Sequence, residues 1–277
     1  MAKERLDVLL VERELAETRE KAKRLIMAGL VFSNSERMDK PGVKIDVDTP
    51  LSVKGRLKYV SRGGLKLERA LKEFDTTVND KVMVDVGSST GGFTDCALQN
   101  GARFVYAIDV GSNQLAWKIR SDERVSVHEK TNFRYVTEEL FEKGLPNYAS
   151  IDVSFISLRL ILPVLKTLLV DNSEVIALIK PQFEAERDQV GKKGIIRDKK
   201  VHQSVLQEVL SFAKEEGFQL LALDHSPITG GEGNIEFLAQ FGWKTDKANI
   251  DHSNDYIKDI VTKAHDAFKN SKGDKIE

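Results

Sequence analysis

Val84-Asp-Val-Gly-Ser-Ser-Thr-Gly-Gly-Phe-Thr94 is the stretch on which the fold turns. An apolar run, Val82 to Val84, leads into it, and a helix-like segment follows. It reads as the first strand, turn and helix start of a nucleotide-type site. Gly87, Gly91 and Gly92 let the backbone turn sharply and come close to a ligand. Asp85, Ser88, Ser89 and Thr90 add polar groups at that turn, and Phe93 closes it. Tyr106-Ala-Ile-Asp109 is an apolar strand ending in a carboxylate, 17 residues past Gly92. An acid at the end of the second strand, roughly 20 residues on, is where a ribose diol is held. The spacing is not the G-x-G-x-x-G of dinucleotide enzymes, and no Lys follows the glycines as in a Walker loop. D-x-G-x-x-x-G-G is the pattern of S-adenosylmethionine sites. The plainer alternative is a βα turn that needs glycine for packing.

Outward from this turn, apolar strands alternate with helical segments. Strands are expected at 82–86, 103–109, 125–127, 149–153, 174–180, 219–225 and 236–242. Helices are expected at 63–74, 91–100, 113–119, 158–170 and 199–216. That alternation argues an α/β fold, a mostly parallel seven-stranded sheet wound on both faces, Rossmann-like. Ile235 to Phe241 follows the preceding strand after a short glycine loop, which suits antiparallel pairing of the last strand. An antiparallel last strand marks the methyltransferase version of this fold. The charged loop from Gln182 to Lys199 is long enough to be functional or mobile. Residues 246–277 are highly charged, and Tyr256, Ile257, Ile260, Val261 and Phe268 predict a terminal helix, frayed after Lys269.

The first 58 residues read as a small α+β module. Leu6, Leu9 and Leu10 fall at helical spacing. Thr18 is placed to cap a second helix carrying Ala22, Leu25 and Ile26, which Gly29 stops. Val31-Phe32 starts a strand, and Val43, Ile45 and Val47 alternate with Lys44 and Asp46 as a half-exposed one. The expected division is therefore 1–58, 59–245 and 246–277.

Of the 277 residues 41% are apolar, enough for a core, and the net charge is −1. Global charge therefore announces no nucleic acid, but its distribution does. Lys54, Arg56, Lys58, Arg62, Lys66, Arg69 and Lys72 are interrupted by one acid, Glu68. Arg62, Lys66 and Arg69 fall on one stripe of a helix. Arg19, Lys21, Lys23 and Arg24 form a second cluster. Such clusters neutralise phosphates even in a chain of neutral total charge; the plainer reading is a solvated face. Cys96 is the sole cysteine, which excludes an intramolecular disulfide and a cysteine-based zinc site, and no metal is expected. No stretch approaches the roughly 18 apolar residues of a membrane span, and the chain reads as cytoplasmic.

Several motifs together resemble the hemolysin A (TlyA) family of ribosomal RNA methyltransferases, over residues 3 to about 245. Arg5-Leu-Asp7, Arg19-Glu-Lys-Ala22 and Ile26-Met-Ala-Gly-Leu-Val31 are similar to the S-four-type RNA-binding module. Tyr59-Val-Ser-Arg-Gly-Gly-Leu-Lys-Leu67 is similar to the entry of an FtsJ-like methyltransferase domain. Ile151-Asp-Val-Ser-Phe-Ile-Ser157, Leu178-Ile-Lys-Pro-Gln-Phe183 and Gly230-Gly-Glu-Gly-Asn-Ile-Glu236 match that family's later motifs. The resemblance implies a class I methyltransferase domain and transfer of a methyl group from S-adenosylmethionine to a ribose 2′-hydroxyl, typically of a cytidine, in ribosomal RNA or ribosomal subunits. It also implies a Lys-Asp-Lys-Glu tetrad, which carries to Lys66, Asp152, Lys180 and Glu236. The family's older label implies membrane damage, for which the sequence offers no spanning segment and no strongly apolar amphipathic helix. A monomer is expected, although nothing in the sequence sets the oligomeric state.

The four positions suit the chemistry without the family name. Ligands of open α/β sheets bind beyond the C-terminal ends of strands, where Asp152 and Lys180 fall. A ribose hydroxyl must lose or strongly polarise its proton, and in-line geometry supplies much of the remaining barrier. A lysine does the deprotonation only if its pKa is lowered, by a second lysine and by burial. Lys180 is favoured as base, with Lys66 as second lysine or positioner and Asp152 and Glu236 orienting both ammonium groups. Each has a plainer reading alone: a solvated Lys66, an Asp152 capping a turn, a snorkelling Lys180, an edge-strand Glu236.

Asp85 is expected at the methionine end of the turn, Asp109 on the ribose hydroxyls, and Asn132 near adenine. Phe155 either stacks on a flipped nucleotide or packs. Lys192, Lys193 and Arg197 on the long loop, with Arg5, Arg19, Lys23, Arg56 and Arg62, are the candidate RNA contacts. The competing reading is a non-catalytic RNA-binding ribosome-assembly factor. Asp152-Val-Ser-Phe155 argues against methylation of a base amino group, which usually goes with a Pro-Pro-aromatic sequence at that place.

Overall fold

The chain divides between Arg62 and Gly63 in a computed structural model. The structure describes residues 2–55, 57–250 and 252–273, apart from the side chains of Lys192 and residues 270–273. The division falls four residues after the expected one.

In the first unit, β1 (Lys3–Arg5), α1 (Leu6–Glu12), α2 (Arg19–Met27), β2 (Val31–Ser33), β3 (Glu36–Arg37), β4 (Lys44–Asp46) and β5 (Ser52–Val53) follow one another. The hydroxyl of Thr18 accepts from the Lys21 amide at 3.2 Å and caps α2. Gly29, at φ +70°, ends it in the left-handed conformation a side chain disfavours. Leu6, Leu10, Ala22, Leu25, Ile26 and Val31 form the small core. β1, which residue pattern alone does not announce, pairs antiparallel with β4. Asp7 is fully buried and accepts from Arg5 Nε at 2.9 Å and Arg19 at 3.1 Å. Those guanidinium groups, Arg5 foremost, hold its carboxyl down at about 2 against the effect of burial.

The second unit runs α3 (Gly63–Glu73), β6 (Val82–Val86), α4 (Gly92–Gln99), β7 (Phe104–Ile108), α5 (Trp117–Arg120), β8 (Val125–His128), β9 (Tyr148–Ile151), α6 (Leu162–Leu168), β10 (Ser173–Ile179), α7 (Pro181–Glu184), α8 (Lys199–Glu215), β11 (Phe218–His225), β12 (Phe237–Trp243) and α9 (Asn254–Gly273). Its seven strands lie in the order β11-β12-β10-β9-β6-β7-β8. The five from β10 to β8 are parallel, and β12 is antiparallel to both its neighbours. The direction of winding reverses between β6 and β9. A crevice at the C-terminal ends of the strands opens at such a reversal.

Two helices differ from expectation for local reasons. α5 begins at Trp117, not 113, because Asn113 sits at φ +55° and Ala116 is still extended, at φ −59° and ψ 141°. The amides of Asn113, Gln114 and Leu115 donate to the Glu129 carboxylate. α6 begins at Leu162, after a separate single turn over 158–160 capped by the Ser157 hydroxyl. The charged C-terminal stretch is part of this unit. Ile257, Ile260, Val261 and Ala264 of α9 are buried in the core shared with α8 and β11. The helix continues past Lys269 to Gly273; residues 274–277 lie outside the described residues.

α8 and α9 also meet through two imidazoles, His202 Nδ1 and His265 Nε2, 2.9 Å apart. His202 is fully buried, and burial, then its histidine neighbour, pushes its pKa down to about 4. The unfolded chain takes up a proton near 6.5 that the folded chain refuses. This contribution is therefore full above about pH 6.5 and is lost as pH falls toward 4, by roughly 3 kcal/mol. Urea denaturation across that window should show the loss, and His202→Gln should flatten it.

Candidate active site

The glycine turn packs against the end of β9. Gly87 sits at φ +82°, and a Cβ there would lie 2.7 Å from the Asp152 carbonyl oxygen. The turn thereby brings the β6 end and the β9 end into contact at the winding reversal. Ser88 is buried, while Ser89, at φ +48°, is exposed and donates its amide to Asp109 Oδ2 at 2.7 Å. Gly91, at φ +93°, starts α4. Asp109 also accepts from the Gly111 amide at 2.7 Å. Its carboxylate is thus fixed at the end of β7, beside the turn and half exposed. A closely approachable backbone flanked by an oriented carboxylate fits a nucleoside cofactor.

Three expected cofactor residues sit otherwise. Asp85 is fully buried, and its oxygens accept from Thr94 Oγ1 and Ser150 Oγ, both at 2.7 Å. Burial pushes its carboxyl up to about 6. It braces the turn from beneath and does not face the crevice. The Phe93 ring packs inward at 3% exposure, following Gly92 into α4. Asn132, past β8, caps the single turn over 133–135 by accepting from the Arg134 amide at 3.1 Å, so its side-chain oxygen is engaged. Glu129, which residue pattern does not single out, organises the loop after β7 by accepting from the amides of Asn113, Gln114 and Leu115. Arg120, then the amides of that loop, hold its carboxyl down at about 2.

Beside the turn, four side chains form one continuous chain. Lys180 Nζ lies 2.5 Å from Asp152 Oδ1. Lys66 Nζ lies 3.2 Å from Asp152 Oδ2 and 2.8 Å from Glu236 Oε2. Both lysines are 7% exposed and Glu236 is 2% exposed. Local sequence places each. Lys180 precedes Pro181, which keeps it extended and starts α7, so the lysine projects from the strand end. Glu236 closes the β11–β12 hairpin, its carbonyl accepting from the Ser226 amide at 2.8 Å. Lys66 stands in the first turn of α3. Burial opposes its charge, but Asp152 and Glu236 outweigh burial and the Lys66 pKa is raised. Burial likewise works against the Asp152 carboxylate, yet Lys66 and Lys180 hold its pKa below the usual value.

Other groups complete the site. Lys180 also donates to Ser154 Oγ at 3.1 Å. Gln182 donates to Glu236 Oε1 at 3.4 Å, and its buried carbonyl oxygen has no partner among the described residues. Glu184 accepts from Ser157 Oγ at 2.5 Å and the Leu158 amide at 2.7 Å, tying the segment after Asp152 to the helix after Lys180. Phe155 is 90% exposed at φ +62°, its ring 4.8 Å from that of Phe183. Gln182, Glu184 and Ser154 lie within or beside motifs already marked in the sequence, but only three-dimensional contact shows what they touch. A Cβ on Gly230 would fall 2.0 Å from Glu236 Oε1, and Gly230 has an ordinary φ. Gly230→Ala should therefore fold, bind cofactor normally and push the Glu236 carboxylate off Lys66. Single-turnover transfer should fall roughly tenfold.

The candidate RNA contacts differ in state. Arg5 and Arg19 share Asp7, and Lys23 pairs with Glu20 at 2.6 Å. The basic stripe of α3 is not a free face. Lys66 turns into the carboxylate chain, and Arg69 donates twice to Asp224. Arg62 lies at the end of the first unit and is itself engaged. Arg187, Lys193 and Arg197 are exposed on the loop after α7, without an acidic partner among the described residues. Arg56 and the Lys192 side chain lie outside the described residues. Among the described residues no helix is long and apolar enough to cross a membrane, and no group of three His, Cys, Asp or Glu is arranged for a metal.

A doubly wound sheet with an antiparallel strand inserted near one edge, a glycine turn and an acid ending the next strand define an S-adenosylmethionine-dependent methyltransferase. Residues 59–243 match the FtsJ-like methyltransferase family model and residues 4–49 the S4 domain. YqxC of Bacillus subtilis, provisionally named an rRNA methyltransferase, is 64% identical over 274 residues, 98% of each chain. TlyA of Mycobacterium tuberculosis (strain H37Rv), named a 16S/23S rRNA (cytidine-2′-O)-methyltransferase, is 38% identical over 246 residues, 88% of this chain and 91% of the relative. A solved structure from Streptococcus thermophilus, provisionally described as a hemolysin, is 56% identical, covers 99% of both chains and has a TM-score of 0.78. The chain belongs to the FtsJ-like methyltransferases that carry an N-terminal S4 domain, the TlyA/hemolysin A family.

Proposed function

We propose that this chain is an rRNA (cytidine-2′-O)-methyltransferase that uses S-adenosylmethionine, acting as a cytoplasmic monomer on large-subunit rRNA and, by extension, on the small subunit. The observation that carries this reading is the buried Lys180–Asp152–Lys66–Glu236 chain beside the glycine turn. S-adenosylmethionine, when bound, supplies a methyl group on a cationic sulfonium. Asp109 and the backbone of Gly87 to Gly92 would hold it. Lys180 is the base that takes the 2′-hydroxyl proton, and the freed oxygen is the nucleophile. Lys66, clasped by two carboxylates, stays charged and positions the ribose oxygen. Asp152 joins the two lysines, and Glu236 fixes the second.

Phe155 offers an exposed ring against which a flipped base stacks. The S4 domain, with Arg5, Arg19, Lys23, Arg56 and Arg62, and the loop bearing Lys192, Lys193 and Arg197, would hold the RNA backbone. Tritium transfer from labelled S-adenosylmethionine to separated ribosomal subunits and naked rRNA, with nucleoside mass spectrometry, tests this. The expected product is 2′-O-methylcytidine. Cofactor binding without transfer to any of these substrates would favour an assembly factor in its place.

A further inference from the structure

The basic loop after α7 is not free of the catalytic chain. One buried amide, Asn234, links them. Its side chain is 4% exposed and makes three hydrogen bonds. Oδ1 accepts from the Ile196 amide at 3.1 Å; Nδ2 donates to the carbonyls of Gly194 at 2.9 Å and Gly231 at 3.2 Å. Asn234 thus grips the loop at 194 and 196 and its own turn at 231. Its backbone carbonyl accepts from the Gly230 amide at 2.9 Å, closing the turn that bears Glu236 two residues later.

The gripped loop segment is itself shaped. Gly191 and Ile195 form an antiparallel bridge, Lys193 stands at φ +70°, and Ile196 is buried at 4%. Lys193 and Arg197 flank this anchor and point to solvent with no acidic partner among the described residues. On the far side, Glu236 holds Lys66 at 2.8 Å. A buried amide whose every polar atom is satisfied transmits displacement, because losing any one bond strands a polar group.

We propose that Asn234 is a positioning residue that couples phosphate binding by Lys193 and Arg197 to the placement of Glu236, and through it Lys66. It touches neither cofactor nor RNA. Cations on the loop then raise the rate of transfer as well as the affinity for RNA, and RNA that fails to seat the loop is turned over slowly. This inference rests on the rRNA methyltransferase reading.

A double-mutant cycle tests it, using steady-state transfer to separated ribosomal subunits and total rRNA. The variants are N234A, K193A/R197A and the triple combination. N234A should lower kcat roughly tenfold, leave S-adenosylhomocysteine affinity within about twofold, and speed tryptic cleavage after Lys193 and Arg197. K193A/R197A, whose substitutions are on exposed side chains, should lower kcat at saturating RNA about fivefold as well as raise KM. In the N234A background the same pair should change kcat less than about twofold. Losses that multiply in the triple variant would overturn the coupling. Should N234A fail to fold, K193A/R197A decides alone: a kcat loss at saturating RNA supports the coupling, and a pure rise in KM overturns it. Wild-type protein that methylates no rRNA sinks the functional reading and this inference together, whereas multiplicative losses in an active enzyme sink only the inference.

Discussion

Lys180→Ala should fold, bind S-adenosylmethionine within about threefold of the wild-type affinity, and transfer methyl groups at least a thousandfold more slowly, roughly the scale of a lost general base. The argument rests on the asymmetry of the two lysines. Lys66 lies between two carboxylates, 2.8 and 3.2 Å away, and its pKa is raised. A lysine so held is a poor proton acceptor. Lys180 meets one carboxylate, which it shares with Lys66, and a serine hydroxyl. Lys180→Arg separates charge from proton transfer. Arginine keeps a cation beside Asp152 but does not give up its proton. It should be as inactive as the alanine variant. Near-normal turnover by Lys180→Arg would make Lys180 an electrostatic positioner and remove it as the base. Lys66→Ala should lose activity for a different reason. It leaves Glu236, 2% exposed, with only the Gln182 amide among the described residues, and should also destabilise the unit by roughly 3 kcal/mol. Thermal denaturation separates the two lysines where activity does not.

Periodicity and glycine spacing carry most of the sheet. Apolar runs at 82–86, 125–127 and 219–225 become strands within a residue, and the short glycine loop before Ile235 gives the antiparallel β12. These signals are local, so a sequence exposes them. The departures are non-local. Lys66 and Arg69 do stand on α3, whereas Arg62 falls before it in the first unit, and spacing cannot reveal the acids that meet the two helical cations. Asp152, Asp224 and Glu236 come 86, 155 and 170 residues after their partners. Asp85 follows the same logic. As the first letter of a ligand motif it suggests cofactor contact, yet Thr94 and Ser150 bury it. The late start of α5 is the local exception, set by the backbone at Asn113, φ +55°, and at the extended Ala116. For the site, strand-end position and motif order nominate Lys180 and Asp152, while Asn234 and Glu184 emerge only when loops that are distant in sequence touch.

Gly87→Ala should be the most damaging substitution in the turn, because two independent costs meet there. A residue with a Cβ at φ +82° is strained by about 1–2 kcal/mol. The Cβ would also lie 2.7 Å from the Asp152 carbonyl oxygen and 3.2 Å from the Val153 Cα, which are backbone atoms without rotamers to yield. The end of β9 must move, and Asp152, the residue that joins both lysines, moves with it. The combined destabilisation is on the order of 3 kcal/mol, a fall of roughly 6–12 °C in Tm for a unit of this size. Cofactor affinity should drop at least a hundredfold, and transfer should fall below detection. Gly144 supplies the control. It stands at φ +102° with nothing within 4 Å of its would-be Cβ, so Gly144→Ala reports backbone strain alone. Gly91 is intermediate: at φ +93°, its nearest obstacle is a Leu115 methyl at 2.9 Å, a side chain able to turn aside. The expected order of lost stability is therefore Gly87, then Gly91, then Gly144, with loss of cofactor binding confined to the first two. If Gly87→Ala and Gly144→Ala lost the same stability and Gly87→Ala still bound S-adenosylhomocysteine, the contact between the turn and the Asp152 backbone would carry no energy. The winding reversal would then position the cofactor turn and the catalytic chain independently of each other.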